Sequence, residues 1–348
     1  MNPYVLTILI SSLGIGTTLT FASSHWLLAW MGLEINTLAI IPLMTKQHHP
    51  RAVEAATKYF LTQATAAAMI LFASTTDAWI SGQWDILQIS HPFSTTIIMM
   101  ALALKIGLAP AHFWLPEVLQ GLDLTTGLIL STWQKLAPFA LIYQIAPNIN
   151  PTLLVTLGIT SAMVGGWGGL NQTQLRKILA YSSIAHLGWM IIILHFMPSL
   201  TLLNLVIYIL MTSAMFLTIK TLSATKINTL ATKWTKTPTL SALAMLSLLS
   251  LGGLPPLTGF MPKWLILQEL TKQELPLIAT VMAMSALLSL FFYLRLCYTM
   301  SLTISPNTNN STSPWRFKST QTSLPMAITL TTSLTLLPIT PAIMALTS

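Results

Sequence analysis

Stretches of about twenty apolar residues follow one another along the chain, joined by short polar linkers. A bilayer is spanned by about 20 apolar residues in a helix, so a chain patterned this way has lipid as its solvent. Charge makes the same point. Only 7% of the 348 residues are charged, eight acidic and sixteen basic, against 53% hydrophobic. Soluble domains carry about 25% charged residues, so these ions cannot cover a water-facing surface of this size. A soluble enzyme, a secreted disulfide scaffold and a disordered tail are excluded. The single cysteine, Cys297, excludes a disulfide framework and a Cys-based metal site. The net charge of +8 is spread between apolar segments, so no nucleic-acid partner is expected. The start, MNPYVLTILI, has no basic region and no small-residue cleavage site, which suggests a retained first span.

Eleven spans are expected, at roughly 3–20, 25–44, 56–75, 94–120, 126–145, 151–170, 175–196, 200–222, 238–270, 276–303 and 323–345. Lipid leaves open strand edges unsatisfied, and the period-two alternation of a barrel is missing, so all are read as helices. Spans four and nine are too long for one straight crossing and carry internal Pro and Gly. Loops after even-numbered spans hold Lys46, Arg51, Arg176, Lys177, the lysines 220, 226, 233 and 236, Arg316 and Lys318. Loops after odd-numbered spans hold only Lys272. The basic side faces the inner compartment, which puts the N-terminus inside and the C-terminus opposite. No linker is large enough for a soluble nucleotide, flavin or iron–sulfur domain.

The two long spans share a pattern. Gly107-Leu-Ala-Pro110 leads to Pro116-Glu117, and Gly253-Leu-Pro255-Pro256 leads to Pro262-Lys263, each residue 146 positions after its counterpart. Pro110, Pro255 and Pro256 each remove a backbone donor and free a carbonyl at membrane depth, which is tolerated only inside protein or beside water. Spans four and nine are five crossings apart, so the copies run in opposite directions. The expected fold is all-α and membrane-integral: two inverted five-helix repeats over 1–145 and 146–303, then a loop and C-terminal helix over 304–348. Broken helices in corresponding halves point to an internal ion path.

Four ionisable residues fall well inside spans: Glu34, Lys105, Lys135 and Lys263. Each costs about 2.5–3.5 kcal/mol at the bilayer centre on insertion scales. Burial disfavours a charge and an opposite charge restores it. A lysine that gains or loses a Glu partner therefore switches between holding and releasing a proton. Secondary relay candidates are His112, Glu117, Tyr181 and His186. A lone membrane His also serves as a packing or hydrogen-bonding group. No His/Glu set has metal-ligand spacing. Gly165-Gly166-Trp167-Gly168-Gly169 lacks the Lys-Ser/Thr of a phosphate loop and suits close helix packing.

The run Lys105-x4-Pro110-x-His112-x-Trp114-Leu115-Pro116-Glu117 resembles the signature of the antiporter-like subunits of respiratory complex I and related cation/proton antiporters. The segments 131–139 (STWQKLAPF) and 171–186 (NQTQLRKILAYSSIAH) are similar to a mitochondrially encoded vertebrate branch of that family. The resemblance implies a core membrane-arm subunit of proton-translocating NADH:ubiquinone reductase in the mitochondrial inner membrane. It implies that Glu34 pairs with Lys105, that Lys135 is central and that Lys263 serves an outer half-channel. No cofactor belongs to this chain on that reading; NADH, FMN, iron–sulfur clusters and ubiquinone belong to other subunits. The partners implied are other complex I membrane subunits, further antiporter-like subunits among them, and phospholipids such as cardiolipin. Bacterial relatives have fourteen spans, so three N-terminal ones are missing here. An autonomous cation/proton antiporter, or a structural subunit with an inactive channel, remains as an alternative.

Overall fold

The computed structural model describes residues 2–46, 48–89, 91–235, 237–302 and 323–347. Lys236, Arg316 and Lys318, and the whole of the 304–322 linker, lie outside the described residues. Among the described residues every regular element is helical, and the only extended pairings are two isolated bridges, His25 with Asp85 and Gln174 with Lys226. The chain forms two compact units, Met1–Ser161 and Ala162–Ser348.

The first unit contains α1 (Pro3–Ala22), α2 (Trp26–Met44), α3 (Pro50–Ser81), α4 (Pro92–Ile106), α5 (Trp114–Gly121), α6 (Leu124–Ser131) and α7 (Trp133–Ile145). The boundary falls within α8 (Pro151–Gly169). The second unit continues with α9 (Leu175–Ile193), α10 (Pro198–Leu222), α11 (Ile227–Ala231), α12 (Pro238–Gly252), α13 (Phe260–Lys272), α14 (Pro276–Ser301), α15 (Leu324–Thr335) and α16 (Thr340–Thr347). Many helices open on a proline, as at Pro3, Pro50, Pro92, Pro198, Pro238 and Pro276. The first helical N–H has no intrahelical partner, so proline costs nothing there. Two histidines that carry no functional signal in the sequence act as helix caps. His25 and His49 each accept the N–H two residues on, closing the starts of α2 and α3.

Small residues set the close contacts. A Cβ on Gly16 of α1 would lie 2.9 Å from the Gly32 carbonyl of α2, and one on Gly32 would lie 2.9 Å from the Gly16 carbonyl. In the second unit, Gly165 lies against the backbone of Ala185, Gly168 against the Tyr181 ring and Gly169 against Phe292. The glycine run of α8 is therefore a packing surface, as its composition suggested.

Both long spans break where their prolines stand. The boundaries repeat at the motif's offset: Pro92 and Pro238 open the first halves, and Trp114 and Phe260 open the second. Each first half ends in the same cap. Gly107 (φ 87°) and Leu108 both donate to the Ala103 carbonyl; Gly253 (φ 82°) and Leu254 both donate to Leu249. A left-handed residue is needed here, and glycine takes it without a Cβ penalty.

Three expected spans differ from the structure. The third is longer, since α3 runs 32 residues from Pro50. The fifth is not continuous. It breaks at Thr132, whose N–H and hydroxyl both turn back to the Leu128 carbonyl (3.0 and 2.7 Å). Such hydroxyl back-bonding bends helices, and Pro138 removes a further donor. Lys135 therefore sits in the first turn of α7, not mid-helix. The last span bends by 65° between its two halves, at a turn containing Pro338. By length and composition, five helices among the described residues suffice singly to cross a membrane: α1, α2, α8, α10 and α14.

Candidate functional site

The end of α4 has orphan carbonyls because the helix stops at Ile106. Two side chains serve them. The Trp114 indole N–H, from the start of α5, donates to the Leu104 carbonyl (3.0 Å), and Gln63 Nε2, from α3, lies 3.5 Å from the Lys105 carbonyl. Trp114 also meets Tyr59 of α3 edge-on, with ring centres 5.7 Å apart. We expect Trp114→Phe to keep that ring contact but strand the Leu104 carbonyl, at about 1–3 kcal/mol. Heat inactivation should then begin at a lower temperature; an unmoved midpoint would mean the bond contributes nothing.

Around this break α2, α3, α4 and α7 enclose a polar chamber. Lys105 and Lys135 both line it, with Asn36, Gln63, Gln134 and Tyr59 as the main polar company. All but Gln134 are buried. About 10 Å³ is open to the centre of a water molecule, the order of one water. The Lys105 amine has no hydrogen-bond partner among the described residues. Glu34, on α2, takes the Thr37 hydroxyl at 3.1 Å and forms no ion pair with Lys105 among the described residues. It does lie within electrostatic reach of Lys105 and Tyr59. Glu34 thus acts on Lys105 through space without an ion pair, and it is not among the residues that line the chamber.

The second unit has a smaller cavity lined by Ala185, His186, Trp189, Lys263, Ser289 and Tyr293. Lys263, in the first turn of α13, donates to the Gly252 carbonyl at 2.9 Å. Its ammonium thereby closes the end of α12 as the Trp114 indole serves the end of α4. His186 is buried, with its ring 5.7 Å from Tyr208.

The other secondary candidates are placed differently. His112 packs on Phe113, with Nδ1 3.2 Å from the Pro110 carbonyl inside the break, and it does not line the chamber. Glu117 forms an exposed ion pair with Lys58 (2.8 Å), and Lys58 also meets Glu54. Tyr181 packs over Gly168 and is not part of the second cavity. Sequence reasoning passed over Asn36, Gln63, Gln134 and Tyr293, which are uncharged, although Tyr59 and Gln63 share one face of α3 at the i, i+4 spacing. It also passed over Arg295, an intramembrane ion of α14 whose guanidinium donates to the Leu170 and Gln172 carbonyls just beyond α8.

An all-helical membrane fold with buried amines gathered at a broken helix defines an ion-translocating subunit of antiporter-like type. The chain belongs to the NADH:quinone oxidoreductase/Mrp antiporter membrane family, whose model matches residues 23–289. The C-terminal model of NADH dehydrogenase subunit 2 matches residues 290–344. NADH-ubiquinone oxidoreductase chain 2 of Oncorhynchus mykiss is 74% identical over 346 residues, 99% of both chains. The Carassius auratus protein of the same name is 74% identical over 348 residues, 100% of both. A chain of respiratory complex I from Thermus thermophilus with bound aureothin superposes with a TM-score of 0.82 at 26% identity, covering 100% of this chain and 78% of that one. The likeness of the 131–139 and 171–186 segments to a vertebrate mitochondrial branch is thereby borne out.

Proposed function

We propose that the chain is a proton-translocating membrane subunit of respiratory complex I, in the mitochondrial inner membrane. Electron transfer from NADH to ubiquinone takes place in other subunits, which hold the FMN and iron–sulfur clusters. The observation that carries the reading is the chamber itself: two buried lysines, Lys105 and Lys135, face one water-sized polar space beside a helix break. Charges at such a depth are expensive, and a packed structural core has no use for two amines at one void.

The relay runs through Glu34, Lys105, Lys135 and Lys263, with His186 beside the last. Redox energy reaches the chain as a change in the electrostatic pairing of Glu34 with Lys105, which alters the proton affinity of Lys135 and then of Lys263. Moving one charge against the membrane potential costs about 2.3 kcal/mol per 100 mV, within reach of an ion-pair switch. His112, Glu117 and Tyr181 stand as secondary members. Eleven crossings in two inverted five-helix repeats, 1–145 and 146–303, with 304–348 as the final segment, fit the constant offset of the two breaks. The basic loops put the N-terminus on the matrix side and the C-terminus on the intermembrane side. Neighbouring antiporter-like subunits and phospholipids such as cardiolipin cover the outer faces.

Lys105→Met in the assembled complex tests the reading. Protons pumped per electron should fall while NADH oxidation under uncoupler persists. An unchanged ratio would refute the relay. An autonomous antiporter is the second reading, supported by the family's Mrp members. The purified chain in liposomes should show no ion-driven proton flux on our reading, and robust flux on that one.

A further inference from the structure

We propose that Asn36 of α2 holds an ordered water between the amines of Lys105 and Lys135, and so acts as a positioning residue for proton passage across the chamber. This rests on the relay reading above and adds a member that carries no charge.

Asn36 is 2% exposed, and neither its Oδ1 nor its Nδ2 has a hydrogen-bond partner among the described residues. The Lys105 amine is in the same condition. Buried polar groups in proteins are nearly always paired, with protein or with ordered water, because leaving one unpaired forfeits its hydration with nothing in return. Here both residues line one cavity, whose open space of about 10 Å³ is of the order of one water. A buried water needs two to four polar partners. Asn36, Lys105, Lys135 and Gln63 are all among the lining residues.

The local structure holds Asn36 firmly. Its main-chain carbonyl accepts from Gln134 Nε2 at 3.2 Å, which ties α2 to α7 beside Lys135. Its side chain lies where residue 16 of α1 has no Cβ: one built there would fall 2.4 Å from Oδ1. Gly16 thus makes room for the amide as well as for the helix crossing. A carboxamide suits this role. It offers two donors and an acceptor, and it neither gains nor loses a proton. It can therefore hold a water whichever amine is charged. In the step itself, the Lys105 ammonium gives its proton to the water as the water gives another to the neutral Lys135 amine. One proton crosses, the water is regenerated, and Asn36 is unchanged.

Asn36→Leu, which keeps the branch at Cγ but is apolar and bulkier, removes both hydrogen-bonding ends. In the assembled complex it should pump fewer protons per electron, as expected of Lys135→Met, while NADH oxidation under uncoupler is retained. A merely structural role would lower assembly or turnover and leave the ratio alone. High-resolution density of the unmutated complex is the second measurement. It should show a water within hydrogen-bond distance of the Asn36 amide and the Lys105 amine. If the map has no such water, or if Asn36→Leu pumps at the full ratio while Lys135→Met does not, the assignment of Asn36 is overturned and the relay survives. If Lys135→Met also pumps fully, the relay falls first and Asn36 with it.

Discussion

Complex I carrying Lys135→Met in this chain should assemble, oxidise NADH at close to its uncoupled rate, and translocate fewer protons per electron. The expectation follows from what lysine costs and what it touches. Lys135 is 3% exposed, in the first turn of α7, with Ala137, Pro138 and Leu130 among its neighbours at the chamber wall. Placing its charge at the bilayer centre is unfavourable by about 2.5–3.5 kcal/mol on insertion scales. Methionine has a similar length, bends to fill irregular gaps and carries no such cost. On packing alone the variant should be no less stable than the native chain. A fall in pumping with normal assembly therefore isolates the amine's chemistry. The measurement is the proton-to-electron ratio in sealed vesicles, with the rate under uncoupler as the internal standard. Normal coupling in this variant would leave the buried amine without a function. Lys135→Arg is a useful companion, because a guanidinium keeps its charge in proteins. An arginine here should also stop the relay, whereas a site needing only positive charge would accept it.

The sequence disclosed some of this site and concealed the rest, for physical reasons. Charge in lipid is so unfavourable that Glu34, Lys105, Lys135 and Lys263 stood out at once. Glycine and proline at a repeated offset marked both breaks to within a residue or two. Neutral polar residues did not stand out. Asn36 and Gln63 are inexpensive in a helix, and only packing reveals that they share a void with the two amines. The bend at Thr132 was hidden because its cause is one hydroxyl turning back to a carbonyl four residues earlier, and Thr62, Thr160 and Thr212 make the same bond without breaking their helices. Arg295 was overlooked within an otherwise apolar run. Its guanidinium satisfies main-chain carbonyls that follow α8, a pairing across 125 residues of sequence that no local pattern announces. Glu117 and Lys263 occupy the same place in the motif, yet one forms an exposed ion pair and the other caps a helix. Motif position fixes where a charge lies along the chain; its neighbours decide what it does.

That last point yields the largest expected loss of stability. Gly259 precedes α13 with φ −68° and ψ −13°, a conformation any residue adopts, so its backbone does not require glycine. The space does. A Cβ there would fall 1.8 Å from the Ser250 carbonyl oxygen and 3.1 Å from Met211 Sδ. Ser250 is buried in the last turn of α12, and its carbonyl accepts from Gly253, so this oxygen has nowhere to go. Gly259→Ala must therefore push the break apart and draw Lys263 away from the Gly252 carbonyl. We expect a loss of about 4 kcal/mol or more, at the severe end for a single substitution. It should be visible as failed assembly on native gels, or as early heat inactivation of whatever assembles. Gly14→Ala is the control, since a Cβ there meets nothing within 4 Å. Alanine also favours a helix over glycine by about 1 kcal/mol. Equal behaviour of the two variants would mean that the halves of the second break do not approach as described. At the matching place in the first break the chain has Phe113, 70% exposed. The same register thus admits a large ring in one copy and not a single methyl in the other. What differs is whether a backbone oxygen from the preceding helix stands in the way.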